Sequence, residues 1–357
     1  MTETLLYSFG ASGTDGSYPI AGLTNLNGTL YGTTNLGGLY GYGTVFSVTT
    51  AGTYSRLYNF AGGWKHGPDG AYPQADLTNV NGTLYGTTYF GGASGDGTVF
   101  RITTSGTYSR IHSFTGSDGA KPGAGLTNVG GTLYGTTQYG GATGHGTVFT
   151  ITKSGTYSRL YSFAGGSDGC PNGLTNVSGL LYGTTGGCNL KSYGSVFKIT
   201  LSGTVTVLYT FKGGVSDGAH PTAALTNVDG VLFGTTGSGG PQGYGTVFKI
   251  TTAGKETVLH FFAGEYDGAQ PFAELRNVRG TLYGTTTEGG PYKGPRGEGT
   301  VFKITRSGKE TVLYSFEGEP DGSVPEASLT NVGGKLYGTT ATGGATNGGT
   351  VFSLSGF

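Results

Sequence analysis

The sequence predicts an all-β fold, a seven-bladed β-propeller of four-stranded antiparallel blades, and three observations carry that expectation. First, one phrase recurs through the chain: L-T-N-V-x-G-T-L-Y-G-T-T, a Gly-rich stretch, G-T-V-F-x-I-T, a short turn, then T-V-L-Y-S-F and D-G-A-x-P. Its copies open at Leu23, Leu77, Leu126, Leu174, Leu225, Leu275 and Leu329. Second, the interval runs from 48 residues (Leu126 to Leu174) to 54 (Leu23 to Leu77), the spacing of propeller blades rather than of helical solenoids. Third, the two ends of the chain complement each other. The last copy stops at Phe357 after its third strand, and Glu3-Thr4-Leu5-Leu6-Tyr7-Ser8-Phe9 matches the fourth strand Glu310-Thr311-Val312-Leu313-Tyr314-Ser315-Phe316. The N-terminal strand is therefore expected to complete the last blade and close the ring, leaving no edge unpaired. Residues 1–357 then form one domain.

Each repeat divides into four strands. The first two flank a turn pair ending in Gly: Asn27-Gly28, Asn81-Gly82, Gly130-Gly131, Ser178-Gly179, Asp229-Gly230, Arg279-Gly280 and Gly333-Gly334. Asn, Asp and Gly accept the positive φ that a two-residue hairpin needs at both positions. The third strand, T-V-F-x-I-T, is rich in β-branched and aromatic residues. It meets the fourth at a similar turn, as at Ser105-Gly106 and Ala253-Gly254.

Composition excludes several classes. Gly is abundant at 75 residues, yet without a three-residue period and with only 12 Pro the chain is not collagen-like. Aromatic residues at 12% recur at fixed places that can build a core, which argues against disorder. Lys plus Arg and Asp plus Glu balance at 20 each, so no basic footprint for nucleic acid is present. No apolar run reaches the length of a membrane span, and Met1-Thr2-Glu3-Thr4 lacks the shape of a signal peptide. A cytosolic chain, or one whose leader has been removed, would begin this way.

The pairing of Y-G-T-T with G-T-V-F, joined by a G-G loop and followed by F-x-G-x-D-G-x-x-P, resembles the GloVer tandem repeat of bacterial extracellular proteins along essentially the whole chain. The resemblance implies a repeat architecture and an extracellular or cell-surface location, and brings no catalytic residues with it. The G-H and W-D pairs of WD-repeat blades do not recur, and one Trp is too few for a kelch pattern.

Function is expected on the face carrying the variable second-to-third and fourth-to-first connections. Before the repeated Pro stand Tyr18, Tyr72, Lys121, His220, Gln270 and Val324, with repeat four shortened to Cys170-Pro171. After the repeated G-T-T stand Asn35, Tyr89, Gln138, Gly186, Gly237, Thr287 and Ala341. Both sets are expected to ring the pore, where aromatic faces meet sugar CH groups and amides meet hydroxyls; plain solvent-facing loops would give the same variability. A third set, Tyr42, Asp96, His145, Tyr193, Tyr244, Glu298 and Gly348, is placed farther out. Two extended loops stand apart, one with the lone Trp64 beside Lys65 and His66, the other with Lys293 and Arg296. The resulting expectation is a monomeric, lectin-like binding module for a carbohydrate or other extracellular polymer, without cofactor, metal, nucleic acid or membrane insertion. The alternatives are a polysaccharide lyase or hydrolase, with Tyr72, Lys121, His220 and Arg296 as candidate acid, base or carboxylate-binding groups, and a protein-interaction scaffold.

Three further features are read as structural. The Asp of each D-G pair, Asp15, Asp69, Asp118, Asp168, Asp217, Asp267 and Asp321, suits a turn-fixing acceptor; one carboxylate per loop and no D-x-D-x-D-G run make calcium the weaker reading. His112 and His260 replace the Tyr of the fourth strand, and no H-x-H or H-E-x-x-H pattern occurs. Cys170 and Cys188 lie on the two arms of the hairpin that turns at Ser178-Gly179. They are expected to form a disulfide, provided the shortened loop or a bulge corrects a one-residue offset.

Overall fold

The computed structural model describes residues 1–63, 67, 69–188, 192–291 and 297–357. Among them lie seven four-stranded antiparallel sheets, one per repeat. In the first blade the strands are Thr24–Leu26, Thr29–Thr34, Thr44–Thr49 and Tyr54–Asn59, paired in that order. The first-to-second turns have the expected handedness even where the residue is unfavourable: Asn27, Ser178 and Arg279 have φ of 53°, 50° and 52°. Asn25 helps hold its turn by accepting the Gly28 N–H at 3.0 Å.

The first strands of successive blades, three residues long in all but the fourth, where Pro171–Val177 forms it, touch one another and so surround the axis. Threonine hydroxyls link them. Thr24 donates to the Leu77 carbonyl, Thr78 to Leu126 and Thr127 to Leu174, each at 2.5 Å, and the series continues through Thr175, Thr226 and Thr330. Arg276 occupies the corresponding place in the sixth blade. A second hydroxyl tier runs from Thr136 to the Asn172 carbonyl and from Thr339 to Ala21.

Apolar packing lies between blades rather than within them. Tyr31, Val45 and Phe60 of the first blade, for example, pack on Leu77, Leu84, Phe100 and Ile102 of the second. Gly in L-Y-G-T-T is demanded by this packing: a Cβ on Gly32 would stand 2.7 Å from the Phe46 ring and 2.9 Å from Leu23. Every fourth strand also carries a bulge. In the first blade Val45 pairs with Tyr58 and Phe46 with Arg56, so Leu57 is the extra residue.

Thr2–Ser8 pairs with Thr350–Ser355 and closes the ring. Its Phe9 is fully buried, and with Leu6 and Tyr7 it packs against Leu23, Leu30 and Phe46 of the first blade. Leu5, which the alternation of the strand places inside, is instead 41% exposed. The bulge at Leu6 explains the difference, because an inserted residue inverts the facing of the side chains beyond it.

The Asp-Gly corners tie each fourth strand to the loop that follows. Asp69 accepts the Tyr58 hydroxyl at 2.7 Å, together with the Ala61 and Gly70 N–H groups. Asp15, Asp217 and Asp321 bind Tyr7, Tyr209 and Tyr314 in the same way. His112 and His260 substitute for that tyrosine by placing Nε2 at 3.0 and 3.1 Å from Asp118 and Asp267. Asp168 differs, lying in a short 3-10 turn, Gly166–Asp168.

Candidate functional site: the loop face and the axial cavity

The loop face is built on one repeated backbone device. Each pre-proline residue donates its N–H to a carbonyl of the third set and accepts the N–H of the residue after G-T-T. Tyr72, for instance, is bonded to Tyr42 at 2.9 Å and to Tyr89 at 3.2 Å, and Lys121 to Asp96 at 2.8 Å and Gln138 at 3.2 Å. The three variable positions are therefore neighbours in every blade. All pre-proline residues have left-handed backbone, with φ of 61° at Tyr18, 57° at Tyr72, 56° at Lys121, 58° at Cys170, 54° at His220, 57° at Gln270 and 56° at Val324. A β-branched Val is strained there. Since all seven repeats share the conformation, the strain belongs to the loop design and marks no single site.

Side chains from blades one to three converge on this frame. The rings of Tyr42 and Tyr72 are 5.7 Å apart, those of Tyr72 and Phe90 5.9 Å, and those of Tyr89 and Phe90 5.0 Å, all edge to face. Lys121 Nζ stands 5.8, 5.3 and 5.0 Å from the ring centres of Tyr89, Phe90 and Tyr139, within cation–π range. The Tyr89 hydroxyl donates to Gln138 Oε1 at 3.1 Å. Burial, with Tyr139 nearby, pushes the Tyr89 phenol up to about 12, so it is a neutral donor. Burial also raises the Asp96 carboxyl, and Asp118 adds to the rise while Lys121 opposes it. Four of the residues expected at a ligand site, Tyr72, Tyr89, Lys121 and Gln138, thus form one half-buried aromatic and amide patch.

The remaining candidates lie elsewhere. Asn35 is buried, with its amide directed at the Pro73 carbonyl, so its polarity serves the fold. His220 donates from Nδ1 to the Gly186 carbonyl at 3.0 Å and lies 6.0 Å from the Tyr193 ring. Gln270 is tied through its backbone to Tyr244 and Thr287. Burial and Glu326 raise the Tyr18 phenol. Trp64, His66 and Arg296 lie outside the described residues.

The pore itself is lined by other residues. A cavity of about 310 Å³ opens at the axis, bounded in most blades by the residue after the repeated Pro and the residue before L-T-N rather than by the pre-proline or post-G-T-T side chains. Asp76, Glu274 and Glu326 are among the residues that line it. Asp76 accepts the Gly22 N–H at 2.5 Å and the Ser328 hydroxyl at 2.9 Å, bridging the second blade to the seventh. Glu274 has only a long contact, 3.5 Å, with the Thr226 hydroxyl. Burial first, then Asp76, push its carboxyl up to about 7 against the opposing charge of Arg276. The motif P-x-A-x-L held the missed signal, for its second variable position reads Gly22, Asp76, Gly125, Ala224, Glu274 and Ser328 in the full-length repeats, charged in two where small residues are usual. Among the described residues no group of three or more His, Cys, Asp or Glu could hold a metal ion, and no helix is long and apolar enough to cross a membrane.

Cys170 and Cys188 are joined by a disulfide with their Cα atoms 5.4 Å apart. The pairing of their two strands shifts between Pro171 and Leu174, so that Pro171 faces Thr185 and Cys170 accepts the Gly186 N–H; the offset to Cys188 becomes two residues instead of one, and an even offset keeps both side chains on one face.

Comparison with known proteins supports the architecture. No curated protein sequence matches the chain. Its fold resembles that of a putative 6-phosphogluconolactonase from Bacteroides uniformis, with a TM-score of 0.56 at 15% identity over 89% of this chain and 88% of that one. It also resembles the computationally designed Ika8 protein, with a TM-score of 0.53 at 13% identity over 95% and 96%. Puromycin hydrolase matches with a TM-score of 0.57 at 12% identity over 90% of this chain and 50% of its own. At such identities the likeness is one of fold alone. In sequence, the Gloeobacter/Verrucomicrobia repeat matches residues 1–189, 64–241 and 220–356, and the chain belongs to that repeat family.

Proposed function

We propose that this propeller is a binding module that recognises a carbohydrate chain, or a similar extracellular polymer, on the loop face of its first three blades. The observation that carries the reading is the convergence of Tyr89, Phe90 and Tyr139 around Lys121, with Tyr72 edge-on to Phe90 and the Gln138 amide alongside. Aromatic faces suit the CH surfaces of sugar rings, the amide suits hydroxyls, and the ammonium suits a carboxylate or ring oxygen. The disulfide favours an oxidising compartment, in keeping with a surface or secreted role. The protein acts as a monomer in this reading.

A second reading, polysaccharide cleavage at the pore, has one observation in its favour. Glu274, held near neutrality, and Asp76, held as an acceptor by two donors, are two carboxyl groups in unlike surroundings in one cavity, the arrangement from which acid and base roles arise. One experiment separates the two. The protein is titrated with neutral and uronic-acid polysaccharides while binding and released product are measured together. Binding without turnover that weakens by about 0.5–3 kcal/mol in Tyr89→Ala and Lys121→Ala supports the module. Turnover abolished by Glu274→Gln supports the enzyme, and unchanged affinity in both loop-face variants removes the proposed site.

A further inference from the structure

The seams between blades hold a position that the loop-face reading leaves unused: the first residue of the fourth strand, opposite the aliphatic residue at the fifth place of the third. Tyr54, Tyr108 and Tyr157 occupy it in blades one to three, facing Val48, Ile102 and Ile151. Their hydroxyls donate to the main-chain carbonyls of Asp15, Asp69 and Asp118, the corner residues that close the preceding blades. Glu256, Glu310 and Glu3 occupy the same register position in blades five to seven, facing Ile250, Ile304 and Leu354. In each of the three, Oε1 is sealed from solvent and has no hydrogen-bond donor.

A carboxylate oxygen in that condition is costly, whereas a carboxylic acid O–H directed at an acceptor is not. The corner Asp side chains cannot supply the missing donor, being acceptors already engaged by their own blades. Asp217 takes the Tyr209 hydroxyl and the Lys212 and Gly218 N–H groups, Asp267 takes His260 and the Ala263 and Gly264 N–H groups, and Asp321 takes Tyr314 and the Glu317 N–H. We infer that Glu256, Glu310 and Glu3 are protonated donors, each passing its O–H to the main-chain carbonyl of Asp217, Asp267 or Asp321 where the first half of the ring uses a tyrosine hydroxyl. Three of the seven seams are thereby sensitive to pH.

The electrostatics agree. Burial pushes each of the three carboxyl groups up to about 7 from an ordinary 4.5. The groups facing them act in the expected sense: Asp217 raises Glu256 and Asp321 raises Glu3, while at Glu310 the neighbouring His260 opposes Asp267. Tyr209 and Tyr314 also lie within electrostatic reach of Glu256 and Glu3. Because the folded values exceed the unfolded one, the contribution of these groups to stability is complete below about pH 4.5 and is lost as pH rises through about 7.

The test is thermal unfolding of the full-length protein and of the triple variant E3Q/E256Q/E310Q at about pH 5 and about pH 8.5. Gln keeps the shape and gives a donor that does not titrate. The wild-type Tm should fall between the two pH values, and the variant should change less and melt about 2 °C or more above wild type at the higher pH. Equal slopes, or a variant less stable at both pH values, would overturn the inference. Should the triple variant not fold, the single variants are compared with wild type by infrared difference spectroscopy at about pH 6. Loss of a protonated-carboxyl stretch on each substitution supports the assignment, and its absence from all three difference spectra rejects it.

Discussion

Blades one to three and blades five to seven share one backbone and differ in what fills their seams. In the first group the register position described above is tyrosine, stacked flat on the aromatic residue of the preceding blade: Tyr54 on Tyr7 at 4.1 Å, Tyr108 on Tyr58 at 4.2 Å and Tyr157 on His112 at 4.2 Å. In the second group it is glutamate, and the stack is gone. Val205 in the fourth blade has neither ring nor donor, and there the corner Asp168 has left its usual place. The fold thus accepts a tyrosine, a glutamate or, in the fourth blade, a valine at one fixed register position. The aromatic loop-face patch lies on the tyrosine half as well, whereas Glu274 and Glu326 enter the pore from the glutamate half.

The N-terminal strand is where the halves meet, since Glu3 faces Asp321 while Tyr7 stacks on Tyr54. Deleting residues 1–9 removes both and uncovers an edge, so the largest loss is expected here. Burial of Phe9, Leu6 and Tyr7 alone is worth several kcal/mol, about 1.5–3 for each large side chain, and an unchanged melting temperature would refute the closure. Reduction of the bridge between Cys170 and Cys188, which spans 18 residues of separation beside the changeover blade, should cost about 2–4 kcal/mol. Thiol titration of the denatured, unreduced protein checks the bond itself, with two reactive thiols per chain counting against it. The finest test is Tyr54→Phe, Tyr108→Phe or Tyr157→Phe, each expected to lose about 1 kcal/mol. That loss should be the same at acid and alkaline pH, in contrast to the glutamate seams, and a pH-dependent loss would erase the distinction between the halves.

Much of this architecture was legible in the sequence because a repeated position must meet the same neighbours each time. The turn pairs at Asn27-Gly28 and Arg279-Gly280, the Asp corners and the complementary ends all followed from local chemistry. The bulge at Leu57 and its equivalents did not, since nothing in V-L-Y distinguishes an inserted residue from a paired one, and Leu5, which strict alternation would turn inward, lies exposed. The pore was misread for a related reason. The pre-proline side chains are adjacent to the axis in sequence, but the residue after the proline is the one that reaches it. Asn35 shows the other limit: a polar residue in a variable loop looked available for a ligand, yet its amide is directed at Pro73.

Ring closure also fixes an order of events during synthesis. Thr2 pairs with Ser355, 353 residues later (355 minus 2), so this strand is made long before the strand it pairs with. At about 5–20 residues per second that wait lasts roughly 20–70 s, during which Leu6, Tyr7 and Phe9 have the first blade to pack on but lack Tyr337 and Val351 of the seventh. The nascent chain must either fold its first six blades as an open arc or keep this strand shielded by other means, and the completed propeller appears only when the two termini of the same molecule meet.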